Sequence, residues 1–187
     1  MRKIIPLILA AFCVVVGKDI SAQNQSGKGK ILIAYFSRSG NTRTVAEQIH
    51  KTVGGDLFEI KTATPYPESY NAVLDQGKRE LDTNIRPPLA ATVSNMASHD
   101  IVFIGYPIWF GTTPPPVVSF LTAHDFSGKT VIPFCTSGSS SGEPSLQKVR
   151  EIIPQSTVSE GLHLTSGNIG SAQNRVTAWL RKIGLVK

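Results

Sequence analysis

Apolar residues arrive along this chain in short blocks with two alternating spacings. Ile31-Leu32-Ile33-Ala34-Tyr35-Phe36 is a continuous apolar run of strand length, and Val45, Ala46, Ile49 and Val53 follow it at helical spacing. Leu57 to Lys61 predicts a second strand. Pro65 to Tyr70 opens a helix with Val73, Leu74 and Leu81 on one face. Ile85 to Ser98 is a longer connection in which Pro87-Pro88 forbids a continuous helix. Ile101 to Gly105 predicts the third strand. Pro114-Pro115-Pro116 then starts a helix at Val117 to Leu121, proline being tolerated in a first turn. Thr130 to Phe134 is the fourth strand, and Leu146 to Ile153 is a helix ended by Pro154. Ser159 to Leu164 is a weakly patterned fifth strand, and Ser171 to Ile183 is a closing helix. Strands alternating with helices predict an α/β domain built on a parallel sheet.

The first segment has another pattern. Arg2-Lys3 is a basic start, Ile4 to Val16 is apolar, and Ile20-Ser21-Ala22 offers a small-residue cleavage site before Gln23. This order predicts a signal peptide over residues 1–22, cleaved after Ala22, and an exported, periplasmic protein. The apolar run is too short to span a bilayer, so no stable membrane span is expected after cleavage. Cys13 follows the bulky Phe12, which disfavours a lipidated cysteine. Arg2-Lys3 is not a twin-arginine pair, so export of an already folded chain is not signalled. Residues 23–29 form a polar Gly/Ser/Gln linker, and residues 30–187 form one domain, a length that supports a substantial core.

The full chain carries a formal charge of +6. Removing Arg2, Lys3, Lys18 and Asp19 leaves 16 basic and 12 acidic residues, a net +4. The basic residues are scattered rather than clustered, so no nucleic-acid partner is expected. Cys135 is the one cysteine after the cleavage site. It can form no internal disulfide, and its place at the end of an apolar strand suits a packed thiol. His50, His99, His124 and His163 fit no metal spacing.

Three loops carry the candidate chemistry. The first, Ser37-Arg38-Ser39-Gly40-Asn41-Thr42, runs from a buried strand into a helix N-terminus. Unpaired N–H groups, the dipole and the hydroxyls of Ser37, Ser39 and Thr42 suit a phosphate, and Gly40 permits close backbone approach. The same residues also suit an ordinary turn with Ser or Asn as cap. Arg38, the one cation in the three loops, either balances a phosphate or points to water. The second loop is Tyr106-Pro107-Ile108-Trp109-Phe110-Gly111, and the third contains Thr136-Ser137-Gly138-Ser139. Loops at the carboxyl edge of a parallel sheet lie together where ligands bind. One suits a phosphate, the next offers aromatics, and the last offers hydroxyls and flexible backbone. Together they suit a phosphorylated planar aromatic molecule.

With these motifs, in this order from Lys30 to the C-terminus, the chain resembles the flavodoxin family. The resemblance implies a three-layer doubly wound fold with a five-stranded parallel sheet of order 2-1-3-4-5. It also implies non-covalent FMN. The first loop would hold the ribityl phosphate, and the second and third would flank the isoalloxazine ring.

Rival readings meet the same residues. A response-regulator receiver needs acidic residues where Tyr35, Phe36 and Ser37 stand. A low-molecular-weight phosphatase needs an arginine six positions after its cysteine, where Ser141 stands, and no Gly-Lys-Ser/Thr of a P-loop is present. Gly138-Ser139-Ser140-Ser141-Gly142 matches a nucleophile elbow, with Glu151 or Glu160 and then His163 in hydrolase order. Several residues separate Phe134 from Ser140, however, and Pro144 is expected to delay the helix, so a serine hydrolase using Ser140 is the remote alternative. Tyr66 and Tyr70 suit either a substrate mouth or packing at a helix start, and Trp179 suits the core.

The expected function is electron transfer through FMN, to a redox partner protein or a small-molecule acceptor. The alternative is an NAD(P)H-dependent quinone or flavin reductase of the same fold. The flavin supplies the redox chemistry, and the protein supplies orientation, electrostatics and access.

Overall fold

The computed structural model describes residues 29–187. The expected signal peptide, Cys13 and the linker up to residue 28 lie outside the described residues. Among the described residues six strands are formed, β1 Ile31–Tyr35, β2 Asp56–Glu59, β3 Ile101–Pro107, β4 Thr130–Ser137, β5 Thr157–Val158 and β6 Leu162–Thr165. The helices are α1 Asn41–Val53, α2 Tyr70–Asp82, α3 Pro115–Ala123, α4 Glu143–Ile152 and α5 Gln173–Lys182. Every strand pairing is parallel, in the order β2-β1-β3-β4-β5, with β6 also on β4.

The apolar run of β1 is buried on both faces, which is why it reads as continuous rather than alternating. Ile31, Ile33 and Tyr35 join Val45, Ala46 and Ile49 of α1 and Val176, Trp179 and Leu180 of α5. Leu32, Ala34 and Phe36 face the other way, into a core with Val117 and Phe120 of α3 and Leu146 and Val149 of α4. The result is the expected three-layer doubly wound α/β fold.

The expected fifth strand, Ser159 to Leu164, forms only from Leu162 onward, as β6, and a short β5 at Thr157–Val158 precedes it. Val131 turns its carbonyl toward this edge and accepts the Ser159 N–H over 2.9 Å. Two residues on, Pro133 faces the same edge and has no N–H to donate, so the ladder lapses. It resumes where β6 pairs with Phe134 to Ser137. β4 also runs three residues beyond the expected Phe134. Tyr106 and Pro107 of β3 pair with Cys135 and Thr136 and carry the strand on. Pro144 does not delay α4 but sits within its first turn, after Glu143, where a missing N–H costs nothing.

Candidate functional site

The loops that leave β1, β3 and β4 meet at the carboxyl edge of the sheet around one cleft of about 350 Å³, a volume in the range of small-molecule sites. The loop after β6 joins them through Ser166.

The first loop enters α1 through Gly40, which lies at φ 89° in the left-handed region and caps the helix without a side-chain hydrogen bond. A β-carbon there would touch nothing within 4 Å, so the constraint is the backbone conformation rather than space. The N–H groups of Arg38, Ser39, Gly40, Asn41 and Thr42 donate to no acceptor among the described residues. Five successive free donors at a helix N-terminus form a ready anion cradle. Arg38, Ser39 and Asn41 line the cleft.

The hydroxyls of Ser37 and Thr42 take other roles. Ser37 Oγ accepts the Arg43 N–H over 3.2 Å and lines a neighbouring cavity on the far side of Trp109. Thr42 is buried, with its hydroxyl 2.9 Å from that of Thr136. Its hydroxyl therefore ties the first loop to β4 and does not face the cleft. Arg38 does not point simply to water. Its Nη2 donates to the Glu68 carbonyl over 2.9 Å, and its guanidinium lies 5.5 Å from the centre of the Tyr70 ring.

In the second loop Trp109 and Thr112 exchange both backbone hydrogen bonds, at 3.1 and 2.9 Å. The turn between them places Phe110 at φ 48° and Gly111 at φ 76°, the conformation of a type I′ turn. Phenylalanine there is strained by about 1–2 kcal/mol, yet its ring is left exposed at the mouth. Pro107, Ile108, Trp109 and Phe110 line the cleft, while Gly111 serves the turn. Tyr106 is not a lining residue. It is wholly buried, in phase with Val102 and Ile104 on the face toward α3 and α4. Burial pushes its phenol pKa upward. The period-2 pattern of β3 extends through Tyr106, and that was the sequence signal for its inward direction.

The third wall is the end of β4 and the loop that follows. Thr136, Ser137, Gly138 and Ser139 line the cleft, joined by Ser140. Ser137 Oγ donates to the Ser140 carbonyl over 2.9 Å and lies 2.8 Å from His163 Nε2. Burial, then the charge of Arg175, holds the His163 imidazole below its usual pKa. His163 therefore engages Ser137 and not Ser140, and no carboxylate bonds to its ring among the described residues. The hydrolase arrangement around Ser140 is not assembled. Burial also pushes the Cys135 thiol up to about 12, in keeping with a packed rather than reactive cysteine.

The fourth wall comes from α2. Tyr70, Val73 and Leu74 face the cleft, and Tyr70 is 64% exposed. Tyr66 instead packs inward, against Phe36 and Trp109. The third loop has no aromatic, and the cleft's further aromatic, Tyr70, comes from a helix. Among the described residues no carboxylate lines the cleft. Among the described residues no group of three or more His, Cys, Asp or Glu could hold a metal ion, and no helix is long and apolar enough to cross a membrane.

The fold has counterparts among known proteins. The model of the flavodoxin family matches residues 30–183. A structure of a candidate flavoprotein from Bacteroides eggerthii is 36% identical, covering 86% of this chain and 100% of its own, with a TM-score of 0.76. One from Bacteroides uniformis is 32% identical, covering 82% and 98%, with a TM-score of 0.74. A flavoprotein from Lactobacillus acidophilus in complex with FMN is 21% identical, covering 80% and 99%, with a TM-score of 0.66. No curated protein matches the chain.

Proposed function

This chain belongs to the flavodoxin family, and on that premise we propose that it holds FMN non-covalently in the cleft and passes electrons through it. The observation that carries the reading is the cradle of five unpaired N–H groups from Arg38 to Thr42, opening into a cleft walled by Trp109 and by the Ser137–Ser140 loop. These donors suit a dianionic phosphate at the helix N-terminus, and Ser39 adds a hydroxyl. Arg38 is placed to approach the same charge once it leaves Glu68. The aromatic wall and the serine-rich wall suit the two faces of a planar ring.

Bound FMN supplies the one- and two-electron chemistry. The protein binds the phosphate, orients the ring and limits the access of water. Titration of the FMN-free protein with FMN and with riboflavin tests the assignment. FMN should bind far more tightly, and equal affinities would remove the phosphate cradle from the argument.

A second reading, an NAD(P)H-dependent reductase of small molecules, is favoured by one observation. The Gly138–Ser140 wall is exposed and lacks an aromatic, which leaves that side of the cleft open. Stopped-flow mixing of the FMN form with NADH and NADPH separates the two. Rapid flavin bleaching identifies a reductase, and unchanged absorbance identifies a carrier. Export rests on residues 1–22 alone. The mature chain is expected to begin at Gln23 outside the cytoplasm, and N-terminal sequencing after cell fractionation would read this directly.

A further inference from the structure

Glu80 is a buried carboxylate that the proposed electron transfer does not use. It lies on α2 with 5% exposure. Tyr66 donates its phenol O–H to Oε2, and Gln76 Nε2 donates to Oε1 over 2.7 Å. No cation forms an ion pair with it among the described residues. A carboxylate out of water is costly unless its oxygens are well engaged. Tyr66 is equally committed, since burial and then the Glu80 bond push its phenol pKa upward and keep the donor proton in place.

The Tyr66 ring meets Trp109 edge to face, with centroids 5.1 Å apart at 87°. Phe36 meets the same indole at 5.4 Å and 78°. Gly77 of α2 forms a further side, where a β-carbon would come within 3.1 Å of the indole Cε3. Glycine inside a helix is unfavourable, and here it makes room for the indole. Trp109 is thus held on three sides, and one side is anchored through Tyr66 to a buried hydrogen-bond acceptor.

We propose that Glu80, acting through Tyr66, is the positioning residue that fixes Trp109 in the wall of the cleft. The consequence for cofactor binding rests on the FMN reading above, whereas the fixing of Trp109 concerns the protein alone.

The two can be tested separately. The chain has two tryptophans, so 5-fluorotryptophan labelling of the FMN-free protein gives two fluorine resonances, assigned with W109F. Trp179 packs on Phe103, in the core on the opposite face of the sheet, and is the internal control. E80Q keeps an acceptor for the Tyr66 hydroxyl and should leave the Trp109 resonance in place. E80M removes that acceptor and should shift and broaden the Trp109 line while the Trp179 line stays. Removing a buried carboxylate can cost the fold, so Y66F, which deletes one oxygen and keeps the ring, is the companion and should move the same line. FMN affinity should fall about tenfold in E80M and Y66F and change less than about twofold in E80Q. An unmoved Trp109 line in Y66F, or equal movement of both tryptophan lines, overturns the inference. Failure of the wild-type protein to bind FMN would overturn the cofactor reading instead, and the fluorine spectra would still decide the role of Glu80.

Discussion

Thr42 Oγ1 and Thr136 Oγ1 lie 2.9 Å apart, and both side chains are buried. This hydrogen bond joins the first turn of α1, where the N–H cradle opens, to the strand end that forms the opposite wall of the cleft. Among the described residues neither hydroxyl has another partner, so each depends on the other.

Replacing one partner with valine should therefore cost more than replacing both. T42V or T136V leaves a buried hydroxyl unpaired, for about 1–3 kcal/mol, whereas the double variant should be nearly neutral. Chemical denaturation of the four proteins measures the coupling. Additive single effects would show that the two hydroxyls do not support one another.

At Gly40 the backbone sets the outcome. G40A should fold with a loss of about 1–2 kcal/mol, because φ 89° is costly for a residue with a β-carbon while the space around it is open. If relief of that strain shifts the N–H cradle, FMN affinity falls by more than riboflavin affinity. Calorimetric titration with both ligands would detect the difference.

Glu59 should contribute to acid sensitivity. Burial alone would raise its pKa, but hydrogen bonds from Arg43 and Lys61 outweigh that and hold its carboxyl below the usual 4.5. With the folded value below the unfolded one, the unfolded chain binds the proton first as pH falls. The stabilisation is therefore complete above 4.5 and is lost as pH drops through the folded value. Denaturation midpoints of wild type and E59Q, followed from about pH 7 down to about pH 3, should converge at the acid end. Parallel curves would exclude Glu59 as a source of the acid dependence.

The midpoint potential of bound FMN should be less negative than in acidic flavodoxins measured in the same buffer. Among the described residues no carboxylate lines the cleft, and residues 23–187 carry a net +4. Negative neighbours disfavour the negative charge that reduction adds, and their absence relieves that penalty. Redox titration decides this, and an equal or more negative value would contradict the charge argument.

The sequence by itself determined the alternation of strands and helices through β4 and the edge of the sheet where the loops meet, but not how the fifth strand forms. Two-sided burial of Ile31 to Phe36, the helical spacing of Val45 to Val53 and the glycine at position 40 are local properties, and local properties are written in residue order. Tertiary structure decided where the loop side chains point. A strand side chain takes its face from the register of its neighbours, and a shift of one residue reverses it. Pairing of Tyr106 and Pro107 with Cys135 and Thr136 carried both β3 and β4 further than their apolar runs, so that Tyr106 follows the strand period into the core. Only packing brought Tyr70, Val73 and Leu74 to the cleft and set Glu80 beneath Tyr66. Those contacts join different elements, and hydrophobic spacing along the chain does not say which residues packing will bring together.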